Sequence, residues 1–188
     1  FVGVGGVGAF GVQIAHSFGA RVVALDVDDT RLARFAQHGA DRTLNVRGLP
    51  VKDVRERVRK LVTAIAGEPT SWRIFETSGT AAGQLLAFGL LTYGSVLSVI
   101  GYQLNPIEVR LSNLMAFDAV AQGNWGCLPK YYPAALELIM AKKVVVGPFV
   151  ELRPMSQIND VLQELHHGRL NKRPILLATS SRADRDKT

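Results

Sequence analysis

The stretch that most constrains the fold is a glycine-rich run at the start of the chain, Gly3-Val4-Gly5-Gly6-Val7-Gly8. It follows two apolar residues of strand character and opens a segment whose apolar residues recur at helical spacing. Glycines at this spacing between a strand and a helix predict a tight turn for Gly3, close backbone approach by a ligand at Gly5, and close packing of helix on strand at Gly8. The run therefore predicts the first turn of a βαβ unit.

A glycine turn that opens a helix also predicts an anion site. The backbone N–H groups of Gly6 and Val7 would face the ligand, and the helix dipole favours negative charge at this end. The expected ligand is the diphosphate of a dinucleotide.

A carboxylate farther along the chain narrows the choice of dinucleotide. Asp26 ends the next apolar strand, eighteen residues past Gly8, where it can accept hydrogen bonds from both hydroxyls of an adenosine ribose. The same charge would repel the additional phosphate of NADP, so the pattern predicts NAD.

Two alternatives remain open around this carboxylate. Asp26 could instead cap the following helix, although Asp28, Asp29 and Thr30 are better placed to do so. Arg31 either reaches the same ribose or is a solvated helix residue.

The rest of the chain alternates strands with helices. We predict strands at residues 21–26, 42–45, 72–77, 94–100 and 119–123, and helices at residues 29–38, 51–66, 80–92 and 111–117. This alternation is typical of an α/β protein with a doubly wound parallel sheet, the three-layer αβα Rossmann fold, here over residues 1–144 with a truncated first strand.

A shorter second part follows. A helix is predicted over residues 133–141, an extended segment over Val144–Val150, a helix over Met155–His167 and a strand over Pro174–Leu177. Residues 145–179 form a separate segment in this interpretation, and the polar residues 180–188 form a disordered tail.

Composition excludes several classes of function. The net charge is +6, but the densest basic run, residues 52–60, is interleaved with acids and has helical apolar spacing, so no nucleic-acid site is expected. No apolar run is long enough to cross a membrane. The lone cysteine, Cys127, allows no internal disulfide and suits a cytoplasmic protein; we interpret it as a structural thiol and Glu76 as a scaffold carboxylate.

Several motifs together carry a family resemblance. They are FVGVGGVGAFGVQIAHSFGARVVALDVDD at the start, FETSG at 75–79, YGSVLSVIGY at 93–102 and AQGNWG at 121–126. In this order they resemble the cofactor domain of the medium-chain dehydrogenases, the zinc-dependent alcohol dehydrogenase superfamily, from Phe1 to about Leu177. Within it, residues 105–139 are most similar to the 6-hydroxycyclohex-1-ene-1-carbonyl-CoA dehydrogenases.

The resemblance implies roles for individual residues. Gly6 and Val7 match positions that contact the pyrophosphate, and Asp26 and Arg31 match positions that contact the ribose. The residues implied at the nicotinamide pocket are Thr77, Gly101 and Asn124. Arg173 matches an arginine that faces the diphosphate, and the alternative is an exposed charge beside a strand.

The resemblance also implies what acts with these residues. NAD would accept hydride from a secondary alcohol, which the narrower similarity makes a cyclic alcohol on a coenzyme A thioester. Zinc and the catalytic residues would belong to an N-terminal domain that precedes this stretch, residues 145–179 would pack on that domain, and the protein would form a homo-oligomer. A non-catalytic module that binds or senses NAD is the alternative.

Overall fold

The computed structural model describes residues 1–178 and shows two compact units, residues 1–144 and the residues from 145 onward. The tail predicted at residues 180–188 lies outside the described residues.

The first unit alternates helices and strands as the sequence predicts. Its elements are α1 (Gly8–Ser17), β1 (Val23–Asp26), α2 (Asp29–Phe35), β2 (Arg42–Asn45), α3 (Val51–Ala66), β3 (Arg73–Glu76), α4 (Ala81–Gly89), β4 (Val96–Val99), α5 (Ser112–Ala116), β5 (Val120–Gly123) and α6 (Tyr132–Met140). Most of them are a few residues shorter than predicted at one end or both, because turns and caps take up the flanking positions.

Side-chain caps fix where two of these helices begin. The Asp28 carboxylate accepts the N–H groups of Thr30 and Arg31 at the start of α2. The Thr80 hydroxyl accepts the N–H of Gly83 at the start of α4. Both caps satisfy amides that have no acceptor within the helix, so each helix begins directly after a strand-end turn.

The strands form one parallel arrangement with the start of the chain at its centre. β1 pairs with β2, and β3 pairs with β4, which in turn pairs with β5, all in parallel. Val2 forms parallel bridges to Leu25 of β1 and to Glu76 of β3, so it stands between the two groups. The spatial order β2, β1, Val2, β3, β4, β5 is that of a doubly wound sheet, and the predicted Rossmann fold is confirmed.

The core of this unit lies where the sheet meets its helices. The sheet contributes four buried apolar residues to the core, Val2, Leu25, Ile74 and Leu97. Helices α3 and α4 cover them with apolar side chains. Because parallel strands end at the same edge, Asp26, Glu76 and their neighbours share one edge of the sheet.

The second unit is smaller. It contains β6 (Val150–Pro154), α7 (Ile158–His166) and β7 (Arg173–Leu177), and β6 pairs with β7 in parallel. A 3₁₀ turn, Met155–Gln157, precedes α7.

One predicted segment is wrong. Val144–Val150 is not extended throughout, because Gly147–Phe149 form a 3₁₀ turn and the strand begins only at Val150. Pro148 lies in the first turn of that short helix, where its fixed φ is favourable. The valines on either side suggest a strand, and the proline overrides them.

No helix among residues 1–178 is long and apolar enough to span a lipid bilayer.

Candidate functional site

Most of the predicted site residues meet at one cavity. It has a volume of about 510 Å³, lies at the carboxyl ends of β1 and β3, and is called the first cavity below. The predicted residues that line it are Gly3, Gly5, Gly6, Asp26, Arg31 and Thr77. Its other walls include apolar side chains of the β2–α3 connection and of α4, such as Val46, Leu49 and Leu86.

The glycine turn forms one wall of this cavity, and its glycines differ in their surroundings. Gly3 has a φ of +87°, and a Cβ there would lie 2.6 Å from the Cα of Ser78. A Cβ on Gly8 would overlap the Gly3 carbonyl oxygen and lie 2.7 Å from Thr77 Oγ1. A Cβ on Gly5 would meet no atom within 4 Å. Gly3 and Gly8 are therefore needed for packing, whereas Gly5 borders open space.

Asp26 is held more firmly than the sequence predicts. Its side chain is only 5% exposed, Oδ2 accepts the N–H of Val4 at 2.8 Å, and Oδ1 accepts the N–H of Asp28 at 3.0 Å. The carboxylate therefore ties the glycine turn to the end of β1. Each oxygen retains a second acceptor position, since a carboxylate can accept about four hydrogen bonds.

The neighbouring charges are arranged around this carboxylate. An Arg31 guanidinium nitrogen lies 3.8 Å from Asp26 Oδ1, and its side chain is 25% exposed. Asp28, rather than Asp26, caps α2, as the sequence analysis favours. The hydrogen bond from the Arg31 amide to the Asp28 carboxylate holds the pKa of Asp28 below its usual value.

Two residues predicted at the nicotinamide pocket lie closer to the first cavity or to its supports. The Thr77 hydroxyl donates to the Gly3 carbonyl at 2.5 Å, so Thr77 binds the glycine turn. Gly101 follows β4 and packs against Gly79 and the Glu76 carboxylate. Its neighbour Ile100, not Gly101, lines the second cavity described next.

The second cavity is an open depression of about 630 Å³ on the other side of the glycine turn. It contains two of the predicted residues, Val7 and Asn124, together with Ile100 and Trp125. Trp125 is 91% exposed and makes an edge contact with Tyr102, with 6.3 Å between ring centroids. One wall of this cavity is therefore formed by a side chain that is almost fully exposed to solvent.

The remaining predicted residues lie elsewhere. Arg173 is the first residue of β7 in the second unit and is exposed. Cys127 is a free, exposed thiol. Among residues 1–178, no group of three or more His, Cys, Asp or Glu side chains is arranged to hold a metal ion, so these residues do not fit a zinc site.

Two residues of the first cavity were not predicted, whereas the scaffold role predicted for Glu76 is confirmed. Ser78 and Thr80 line the cavity directly after Thr77. Glu76 is fully buried and binds the turn that carries them. The available signal was position, because polar residues at the carboxyl ends of parallel strands face the usual ligand edge.

Comparison with known proteins agrees with this fold. A family model described as zinc-binding dehydrogenase matches residues 6–141. An alcohol dehydrogenase from Geobacillus stearothermophilus is 26% identical over 175 residues, which is 93% of this chain and 48% of that protein. The chain therefore spans about half the length of this curated relative.

Two solved structures show the same fold. The alcohol dehydrogenase of Aeropyrum pernix is 26% identical, with a TM-score of 0.76 over 94% of this chain and 48% of that one. An alcohol dehydrogenase zinc-binding domain protein from Burkholderia ambifaria is 22% identical, with a TM-score of 0.79 over 95% of this chain and 47% of that one. The family match over most of the first unit, carried by a sheet and a glycine turn of the expected form, shows that the chain belongs to the zinc-binding dehydrogenase family.

Proposed function

We propose that the first unit binds NAD along the carboxyl edge of its sheet, with the adenosine in the first cavity, the diphosphate on the glycine turn and the nicotinamide toward the second cavity. The observation that carries this proposal is the convergence of Gly3, Gly5, Gly6, Asp26, Arg31 and Thr77 on one cavity. A dinucleotide fits these residues because open space lies in front of Gly5 and a carboxylate stands at the end of β1.

Each end of the dinucleotide has its own partners in this proposal. The ribose hydroxyls donate to the acceptor positions of Asp26 that Val4 and Asp28 leave available. Arg31 stays beside the same carboxylate. Val7 and Asn124 border the nicotinamide ring.

The whole protein, in our proposal, oxidises a secondary alcohol and transfers its hydride to NAD. NAD supplies the hydride chemistry, and the chain supplies binding and orientation. The similarity of residues 105–139 favours a cyclic alcohol carried on a coenzyme A thioester. Reduction of NAD by the full-length protein, assayed with cyclic alcohols and their coenzyme A thioesters, tests this substrate class.

We also propose that the protein forms a homo-oligomer through the outer strand β5. All four residues of β5 are exposed, and apolar side chains of the helices before and after it in sequence are exposed as well, including Met115 of α5 at 79% and Leu136 of α6 at 57%. Unpaired strand edges and apolar patches of this kind favour association. Light scattering that showed a monomer at micromolar concentration would contradict this part.

The cofactor proposal is tested by titrating the chain with NADH and NADPH. We expect NADH to bind at least tenfold more tightly, which corresponds to about 1.4 kcal/mol. Gly5→Val should abolish binding and leave the fold intact, because its side chain would occupy the space in front of the turn. Equal affinity for both cofactors, or undiminished NADH binding by Gly5→Val, would contradict the proposal.

Ala64→Val is the control. Ala64 is an exposed residue of α3 that lines neither the first nor the second cavity, so its added methyl groups point away from the proposed site. The control should bind NADH as the parent does.

A further inference from the structure

Four glycines pack against one turn of the first unit. This turn, here called the β3–α4 turn, is formed by Thr77, Ser78 and Gly79. Gly3 and Gly8 of the glycine turn lie against Ser78 and Thr77, as described above. A Cβ on Gly83 would overlap Ser78 Oγ, and a Cβ on Gly101 would overlap the Gly79 nitrogen. Four positions from three parts of the chain have no room for a side chain here, so a small displacement of this turn is transmitted to all of them.

A single buried carboxylate holds this turn in place. Glu76 ends β3 and is 0% exposed. Its Oε1 accepts the Ser78 N–H at 2.8 Å, the Ser78 hydroxyl at 2.5 Å and the Gly79 N–H at 3.2 Å. These three hydrogen bonds all end on one oxygen, so a single acceptor atom satisfies three donors of the turn.

The other oxygen of the Glu76 side chain, Oε2, makes no hydrogen bond to the described residues. Among residues 1–178, Glu76 Oε2 is buried and has no hydrogen-bond partner. A Cβ on Gly101 would lie 2.5 Å from it, so glycine at position 101 makes room for this oxygen. Burying a polar group is costly unless it is hydrogen-bonded, and the three hydrogen bonds to Oε1 offset that cost. Among residues 1–178, the hydrogen bonds of the Glu76 side chain all go to the β3–α4 turn.

The β3–α4 turn forms part of the wall of the first cavity. Thr77 and Ser78 line the cavity, and the Thr77 hydroxyl binds the Gly3 carbonyl at 2.5 Å. Glu76 itself is absent from the cavity lining. Glu76 therefore does not contact a ligand in the first cavity, and its hydrogen bonds connect it to that cavity through the turn.

We propose that Glu76 is a positioning residue that sets the affinity of the first cavity for the dinucleotide without touching it. The acceptor oxygen Oε1 fixes the β3–α4 turn, and the turn fixes the Gly3 carbonyl and so the glycine turn. This inference rests on the proposed function, since it concerns the same site.

The test compares two side chains of similar length, of which only one carries an acceptor oxygen. Glu76→Gln keeps an acceptor oxygen, whereas Glu76→Met has none. NADH affinity is measured by fluorescence titration of the full chain, at a temperature well below each variant's unfolding midpoint. We expect Glu76→Gln to bind within threefold of the parent and Glu76→Met to bind at least tenfold more weakly.

A core variant separates positioning from general destabilisation. Ile74→Val alters a buried side chain on the same strand, away from the turn, and should lower the unfolding midpoint with NADH affinity unchanged. If Glu76 were merely structural, Glu76→Met would behave in the same way. Should Glu76→Met fail to fold, Glu76→Asp retains the carboxyl group but withdraws it from the turn by one methylene, and it should weaken binding at least threefold.

The outcomes are distinguishable. If the parent chain binds no NADH, the proposed function fails and this inference with it. If the parent binds and Glu76→Met or Glu76→Asp binds equally well, the inference alone is wrong. An equal loss in Glu76→Gln and Glu76→Met would also overturn it, because the acceptor oxygen would then not be the decisive feature.

Discussion

The two cavities on either side of the glycine turn are built differently. The first is bounded by packed glycines, a carboxylate with two backbone hydrogen bonds and the β3–α4 turn. The second is open and is bounded partly by Trp125, which is almost fully exposed. The first cavity is preorganised by residues of this unit, so substitutions there should have large effects, and substitutions at the second should have small ones.

The largest effect is expected where the glycine turn beside the first cavity is most tightly packed. Gly8→Val places a side chain against the Gly3 carbonyl and Thr77 Oγ1 and should lower the free energy of unfolding by about 3 kcal/mol. Urea denaturation measures this. Gly5→Ala, at an open position of the same turn, should stay within about 0.5 kcal/mol of the parent. Similar losses of stability in both variants would contradict the distinction between a packed position at Gly8 and an open position at Gly5.

Asp26→Asn tests whether the carboxylate serves both structure and selectivity. It removes the charge that disfavours NADPH, so the tenfold preference for NADH should fall to about threefold or less. It should also cost about 1–3 kcal/mol, because an amide can accept from only one of the two backbone N–H groups. Calorimetric titrations with both cofactors and urea denaturation give the two numbers. An unchanged preference would leave Asp26 with a structural role alone.

Asp28→Ala should have a smaller effect and none on selectivity. Loss of the helix cap should cost about 1 kcal/mol at neutral pH, with the preference for NADH unchanged. Because its hydrogen bonds lower the folded-state pKa of Asp28, this stabilisation is present above the unfolded-state pKa and is lost as pH falls through the folded-state value. The difference between parent and variant should therefore shrink in acid.

Asp28→Asn is the control for this pair, since asparagine also caps helices. It should unfold like the parent at neutral pH. A shift in the NADH preference for either Asp28 variant would mean that the two aspartates do not have separate roles.

The smallest effect is expected at the second cavity. Trp125→Ala should change the free energy of unfolding by less than about 0.5 kcal/mol, because so little of the side chain is buried. NADH affinity should change less than twofold. Trp72→Ala is the matched comparison, since the Trp72 indole N–H donates to the Leu90 carbonyl at 3.0 Å and its ring packs on the core. It should cost about 2 kcal/mol or more. A strong loss of NADH affinity in Trp125→Ala would show that the second cavity is also preorganised.

Local signals predicted most of the fold. Apolar periodicity located every α-helix and strand of the first unit. Asp28, Asp29 and Thr30 were favoured over Asp26 as caps of α2, and the structure shows that Asp28 is the cap. The segment before β6 was predicted wrongly, because the β-branched residues around Pro148 suggest a strand and the proline instead begins a 3₁₀ turn. Such conflicts between neighbouring preferences are hard to weigh without tertiary contacts.

The site was predicted in outline but not in its supports. The spacing from Gly8 to Asp26 predicts a carboxylate beside the glycine turn. In the structure, Asp26 and three glycines of that turn, Gly3, Gly5 and Gly6, line the first cavity. The hydrogen bonds from Val4 and Asp28 that hold this carboxylate were not predicted. They depend on the distance between two backbone segments after the sheet has formed, which spacing along the chain does not specify.

The sequence by itself determined the order of strands and helices, the presence of a glycine turn at a strand end, and the acidic residue that follows it, since all three depend on local spacing and residue type. Only the tertiary structure decided which glycines are packed and which is open. The atoms that exclude a side chain at Gly3 and Gly8 include those of Thr77 and Ser78, about seventy positions away in sequence. The same folding brings Glu76 beneath that turn, because parallel strands distant in sequence end side by side at one edge of the sheet.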